Sequence, residues 1–387
     1  MANVTDGGRG WPAVEIVEEA PREGMQIESR SITTAQKIEL INRLSRTGLT
    51  HIVVGSFVSP RWVPQMSDIE EVLAGISPVA GVRYRALAFN ARGRQRRAAF
   101  EPPISLGPDE ERYSTIVHLC DTFLRRNINM RQSQEISRWP EIVKSAADAG
   151  ARAAGIAINA AWGSNWRGEF SQQERSRLLA EQYELWTRAG IPVTRVWIGD
   201  PMGWNLPHLV AAQVAEIHRR WPSITTFHLH LHDTRGCALA SAYSALAELG
   251  SDCRLVIDAS LGGIGGCPYC GNGRATGMIA TEDLVHLLQR MGLVSGVDVA
   301  ELIEIATWLA AVVGRPLRGR VSDAGPCPDD SSSYPVLLPL IETLEEAQHF
   351  RVGPRAYAGS RSPWRAQDPL YELTDATGDQ DGRTHER

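Results

Sequence analysis

Thr225-Thr226-Phe227-His228-Leu229-His230-Leu231-His232-Asp233 alternates imidazoles with large apolar side chains. A period of two is the periodicity of a β-strand, with the three histidines on one face and the leucines on the other. Seven further β-branched or apolar runs read the same way: Val14–Ala20, Thr50–Phe57, Tyr84–Asn90, Tyr113–Cys120, Arg152–Asn159, Thr194–Asp200 and Leu255–Leu261. Successive starts lie roughly 30 to 40 residues apart, the length of a strand, a returning helix and two loops. Thr34–Thr47 carries Ile38, Ile41 and Leu44 at helical spacing and stops at Gly48. Ser137–Ala149, Ser171–Ala189 and Cys237–Leu249 stop likewise at Gly150, Gly190 and Gly250, residues free to take the positive φ of a helix C-cap.

Eight such units in series close into an α/β fold, the (β/α)₈ TIM barrel, whereas a doubly wound sheet stops sooner and leaves a reversal point. Helices over Glu282–Met291 and Val299–Val313 follow the eighth strand, and the chain beyond Arg315 is rich in Pro, Ser and Asp. The expected division is an N-terminal tail over 1–12, a catalytic barrel over 13–314, a C-terminal extension over 315–371 packed on the barrel or across a dimer partner, and a disordered tail over 372–387.

With 43% hydrophobic and 22% charged residues in 387, the chain can bury a large core. Its formal net charge of −5 offers no basic face for nucleic acid or anionic lipid. The one basic run, Arg92, Arg94, Arg96 and Arg97, reads as a solvated helix face, with contact to a substrate phosphate as the alternative. No apolar stretch approaches the length of about 18 residues that a membrane span needs, and no apolar signal core follows the first Arg. A cytoplasmic location is expected. Six irregularly spaced cysteines suit a reducing compartment rather than a disulfide framework.

In a barrel the chemistry sits where strands end. His230 and His232, nearest that end of strand 7, are spaced to bind one metal ion through neutral imidazoles, with His228 deeper. Strand 1 runs into Pro21-Arg22-Glu23-Gly24-Met25-Gln26, which adds a carboxylate able to complete the metal shell and a cation suited to charge building on an oxygen. Strand 6 ends in Gly199-Asp200-Pro201, where Asp200 can orient a ligand, act as a base or cap a helix. Strand 8 leads into Gly262-Gly263-Ile264-Gly265-Gly266-Cys267-Pro268-Tyr269-Cys270-Gly271-Asn272-Gly273, a glycine-rich loop able to close over a substrate and present a thiol. Its Cys-x-x-Cys lacks the second pair or βαβ context of a zinc or redox motif.

Together these segments resemble the 3-hydroxy-3-methylglutaryl-CoA lyase family, over about residues 14–300. The most specific stretch is Ser56-Phe57-Val58-Ser59-Pro60-Arg61-Trp62-Val63-Pro64-Gln65-Met66. Others are Pro21–Gln26, Asn127-Ile128-Asn129, His230–Gly236, Gly265–Tyr269 and Ala280-Thr281-Glu282-Asp283-Leu284. The resemblance implies Mg²⁺ or Mn²⁺ held by His230 and His232, Arg22 stabilising an enolate, Asp200 as an active-site carboxylate and Cys267 as the loop thiol. It implies cleavage of the C2–C3 bond of a 3-hydroxyacyl-CoA to an acyl-CoA and a keto acid, in a homodimer. Three positions depart from the family. Glu23 stands for its Asp ligand, Val53 for a carboxylate at the end of strand 2, and Met278 for its Asn ligand, which leaves Asn272 in the longer loop as a candidate fourth ligand. Two other readings remain. Gly273-Arg274-Ala275-Thr276-Gly277 is similar to condensing enzymes that join an acyl-CoA to a 2-oxo acid, and the changes at Val53 and Met278 suit a barrel that binds without turnover.

Overall fold

Each apolar run folds as a strand because a helix covers its outer face and seven neighbours cover its inner one. In a computed structural model of the chain, which describes residues 10–267, 270 and 277–328, these are β1 (Ala13–Glu18), β2 (His51–Ser56), β3 (Arg83–Leu87), β4 (Ser114–His118), β5 (Ala154–Asn159), β6 (Val193–Asp200), β7 (Thr226–Leu231) and β8 (Arg254–Ala259). Every pairing between them is parallel, in the order β3-β2-β1-β8-β7-β6-β5-β4. β1 and β8, the first and last strands, pair in register from Ala13↔Arg254 to Glu18↔Ala259. That long-range ladder curls the sheet into a TIM barrel.

Between β3 and β4 the described residues show no ladder. Ile104 bridges Tyr84 there, and Ser105 N–H donates to the Tyr84 carbonyl at 2.8 Å. Ion pairs complete the seam: Glu111, on the short helix Asp109–Arg112, takes Arg83 at 3.4 Å and Arg85 at 2.9 Å. Inside the barrel Val17, Val53 and Val256 form a small apolar layer with Leu87 against it. At the N-terminal end Glu15 accepts from Arg83 at 2.6 Å and meets His51 Nδ1 at 2.9 Å. Burial alone would raise the Glu15 pKa, yet the His51 bond and the Arg83 charge outweigh it and hold the carboxyl at about 2.

The helices follow the expected pattern with two differences. Thr33 and Gln36 form a capping box at the start of Thr34–Leu44, with bonds of 3.2 and 2.9 Å, and the chain turns at Gly48 with φ +91°. Any Cβ there would stand 2.0 Å from the Gly296 carbonyl, so only glycine fits. The helix expected over 137–149 is Trp139–Asp148, with Pro at its start, and a separate short helix, Gln132–Ser137, precedes it. Gly250 takes no left-handed conformation, because helix Ala238–Glu248 ends on an extended Leu249. In the basic run, Arg96 pairs with Glu70 at 2.8 Å and Arg97 with Glu101 at 3.0 Å, while Arg92 and Arg94 are exposed. A solvated, ion-paired face accounts for it.

No helix of the described residues is long and apolar enough to cross a membrane. The first of two units of the chain runs to Ser322 and holds everything described below. Asn272, the tail over 372–387 and all of the extension beyond residue 328 lie outside the described residues.

Candidate active site

β7 and β8 lie side by side with Ile257 opposite Leu229, so the next inward residue of β8, Asp258, falls between two histidines of β7. Its Oδ1 meets His228 Nε2 at 2.5 Å and its Oδ2 meets His230 Nδ1 at 2.7 Å. Arg195 of β6 contacts the other nitrogen of His228 at 2.5 Å. With Nδ1–H donated to Asp258, His230 is left with its Nε2 pointing up the barrel. Trp197 stacks on that ring at 5.6 Å and 29°, which fixes its plane.

His232 stands just past the end of β7, its N–H donated to the Asp200 carbonyl at 3.2 Å and its backbone bridged to Met278. Its Nε2 faces His230 Nε2 at 3.3 Å, and Glu23 Oε1 lies 3.9 Å away. The ligand atoms of Glu23, His230 and His232 all lie within 4.8 Å of one another, and all three residues are buried. Burial and the nearby His230 and Arg22 charges push the His232 pKa well below its ordinary value, so its imidazole is neutral. His230 shifts the other way: burial opposes its charge, but Asp258 outweighs burial and raises it.

Arg22 and Glu23 sit in a tight helical turn, Ala20–Gly24, directly after β1. Arg22 Nε donates to Glu19 at 2.7 Å and its other arm to Glu23. Burial disfavours its charge, but the two carboxylates more than compensate and raise its pKa. It is therefore a permanent cation beside the imidazoles. Gly265 of the loop after β8 packs against this turn with φ +112°, so close that a Cβ would lie 3.1 Å from the Glu23 carbonyl oxygen. The turn is anchored from behind by Glu18, whose carboxylate accepts from Ala20 N–H at 2.7 Å, Leu261 N–H at 3.0 Å and the Thr281 hydroxyl at 2.6 Å.

Asp200 ends β6 fully buried. Its Oδ2 accepts from the Asn205 backbone at 2.6 Å and side chain at 2.8 Å, and the same Asn205 amide reaches the His232 carbonyl at 3.0 Å. Oδ1 has no partner, and burial raises the pKa. Cys267 is half-buried, whereas Cys270 is fully buried with its N–H donated to the Cys267 carbonyl at 3.2 Å. Burial, with Cys267 next in weight, pushes the Cys270 thiol far above the ordinary range.

The donor set fits a divalent cation. Two imidazole nitrogens and a carboxylate oxygen converge in a buried site, and His232 Nδ1 is itself buried without a partner. Such a mixed nitrogen and oxygen set suits Mn²⁺-like ions as well as harder ones. Val53, where the resemblance expects a carboxylate, lies in the apolar layer below. Met278 sits across from His232 and offers no oxygen from its side chain. Sequence reasoning missed Asp258, Trp197, Asn205 and Glu18. The signal for Asp258 was a lone acid ending an otherwise aliphatic strand.

A TIM barrel with a buried carboxylate, two imidazoles and a fixed cation at its mouth has the makings of a barrel enzyme, and the proteins it is similar to make its class that of the carbon–carbon lyases. The HMGL-like family model matches residues 13–309, and the chain belongs to that family. It is 34% identical over 311 residues to the cytoplasmic 3-hydroxy-3-methylglutaryl-CoA lyase of Homo sapiens, covering 80% of this chain and 78% of the relative. It is 33% identical to the mitochondrial hydroxymethylglutaryl-CoA lyase of Gallus gallus, covering 80% and 97%. Among solved structures, an HMG-CoA lyase from A. baumannii in complex with coenzyme A and 3-methylmalate is similar at TM-score 0.65 and 28% identity, covering 87% of this chain and all of that one.

Proposed function

We propose that this chain is a divalent-metal-dependent lyase that cleaves the C2–C3 bond of a 3-hydroxy-3-substituted acyl-CoA, releasing an acyl-CoA and a keto acid. The observation that carries the reading is the convergence of Glu23, His230 and His232 beside the Arg22 guanidinium. These three residues would hold Mg²⁺ or Mn²⁺, which supplies Lewis acidity to the substrate oxygens when bound. Asn272 remains the candidate fourth ligand.

The chain's own residues do the rest. Asp200, with an unpartnered oxygen and a raised pKa, takes the proton of the 3-hydroxyl. As that proton leaves, C3 becomes a ketone carbon and the C2–C3 electron pair moves to the thioester carbonyl. Arg22 stands against the enolate oxygen so formed, where a fixed cation in a dry cavity stabilises charge without reorganising. Cys267, on the loop that reaches the Arg22–Glu23 turn, returns a proton to C2 and recovers its own from solvent. Trp62 and Phe89, exposed on the loops after β2 and β3, offer apolar surface to the CoA at the same end.

Mass spectrometry of a panel of 3-hydroxy-3-substituted acyl-CoAs incubated with the purified chain and Mn²⁺ or Mg²⁺ tests the reading. Cleavage of at least one is expected, with metal retention and turnover both lost in the His230→Ala/His232→Ala variant. Condensation of an acyl-CoA with a 2-oxo acid, without cleavage of any panel member, would overturn it. The expected homodimer, cytoplasmic location and division at residues 12, 314 and 371 belong to the same proposal, and relatives named cytoplasmic and mitochondrial are both on record.

A further inference from the structure

The N-terminal end of the barrel, away from the mouth, carries a second cluster of metal-ligating side chains. Cys253 immediately precedes β8, and its backbone is held on both sides, its N–H donating to the Gly250 carbonyl at 3.0 Å and its carbonyl accepting from Ala13 N–H at 3.0 Å. His218 lies in the last turn of helix Pro207–Arg220, with its ring set edge-on against Phe227 at 6.1 Å. Two packed elements thus fix the thiol and the imidazole independently. Cys253 Sγ lies 3.6 Å from His218 Nε2, and Asp252 Oδ2 lies 3.6 Å from the same nitrogen. The three ligand atoms are mutually within 4.8 Å.

We propose that Cys253, His218 and Asp252 form a second metal site that takes a borderline-soft divalent cation of the zinc class. A tetrahedral zinc with bonds of about 2.3 Å to sulfur and about 2.0 Å to nitrogen places those two atoms about 3.5 Å apart, close to the 3.6 Å found here. The thiolate separates this site from the one at the mouth, because sulfur is a poor ligand for Mg²⁺ and Mn²⁺, whereas the imidazole and carboxylate donors of the mouth accept borderline and harder cations alike. Cys253 is nearly closed to solvent, His218 is half-buried and Asp252 is open. The sulfur is therefore shielded while the fourth coordination position is left to water. Binding forms a metal–sulfur bond and releases the thiol proton to solvent, with no change of oxidation state. Without a cation, burial and the Asp252 charge hold that proton on, at a pKa pushed up to about 11. Six residues of strand, roughly 20 Å, separate Cys253 from the end of β8, so the cation would tie the last turn of a helix to the strand's start without touching the reaction.

Co²⁺ titration of the metal-free full-length chain tests this, because a cobalt–thiolate bond gives a near-ultraviolet charge-transfer band that imidazole and carboxylate ligands cannot. The band is expected in the wild type and in the His230→Ala/His232→Ala and Cys267→Ser/Cys270→Ser variants. It should vanish in Cys253→Ser and in His218→Ala, each of which should also lose one equivalent of Zn²⁺ in equilibrium dialysis. His218→Ala and Asp252→Asn alter solvent-accessible side chains and keep the test valid if Cys253→Ser fails to fold. Absence of the band in the wild type, its survival in His218→Ala, or its loss only with the loop cysteines would overturn the proposal.

Discussion

Arg22 is held by two carboxylates, and that arrangement sets what its removal does. Arg22→Met should lower turnover on the order of 10³-fold, about 4 kcal/mol of transition-state stabilisation. Glu19 and Glu23 would also lose their buried partner, so the melting temperature should fall as well. Steady-state kinetics below the variant's melting temperature separate the two effects, and turnover within tenfold of wild type would remove Arg22 from the mechanism. Asp258 acts through His230 rather than on substrate. Asp258→Asn keeps one acceptor for two imidazoles, so affinity for Mn²⁺ should weaken about 10- to 100-fold in a calorimetric titration, with a smaller change in melting temperature. A change below twofold would make Asp258 structural only. His230 and His232 were legible in the sequence because period-two alternation alone puts them together. Asp258 was not, because its neighbours depend on the register between two strands whose helices and loops intervene.

At the level of elements, the loop after β8 carries the clearest contrast. Cys267 is half-buried, two residues beyond the glycine that packs on the Arg22–Glu23 turn, while Cys270 is sealed and its thiolate strongly disfavoured. Iodoacetamide needs an accessible thiolate, so alkylation should fall on Cys267 and inactivate the enzyme, and a CoA thioester with metal should protect it. Cys267→Ala should lose most activity, and Cys270→Ala should lose little of it. Peptide mass mapping that finds Cys270 modified first would reverse these roles. Strand interiors were legible from residue type, and their ends were less so. Ala20 was read as strand, yet Glu18 captures its N–H and the chain turns into the Ala20–Gly24 helix. A hydrogen bond from a side chain two residues back leaves no mark on hydrophobic periodicity. The helix expected over Ser137–Ala149 is found as Trp139–Asp148 with Pro in its first turn, and the short helix Gln132–Ser137 before it, too polar to show apolar spacing, was not read at all.

For the whole molecule, eight βα repeats in series without a reversal point were enough to read a barrel, because closing the sheet pairs its first and last strands and covers the inner face without helices. The way closure is achieved was hidden. It relies on the Arg83, Arg85 and Glu111 ion pairs at one seam and on buried glutamates elsewhere, and polar groups inside a barrel break the apolar pattern that reveals it. Those glutamates make global stability depend on pH in opposite directions. Glu15, lowered from 4.5 to about 2, adds stability that is present above pH 4.5 and lost as pH falls through 2. Glu18 is raised from 4.5 to about 7, because burial, aided by the Glu282 charge, outweighs its bonds to Thr281, Ala20 and Leu261. The stability associated with its neutral form is full below pH 4.5 and is lost as pH rises through 7. The size of that loss is on the order of 3 kcal/mol. Glu18→Gln keeps the geometry, since an amide oxygen accepts from the same two backbone N–H groups and its NH₂ can donate to Thr281. Urea unfolding of wild type and variant from pH 4.5 to 8 should therefore show the variant gaining on the wild type as pH rises, with the difference flattening above about pH 7. Parallel pH profiles for the two proteins would mean that Glu18 keeps its ordinary pKa, and that its three hydrogen bonds to β1, β8 and the following helix fully offset its burial.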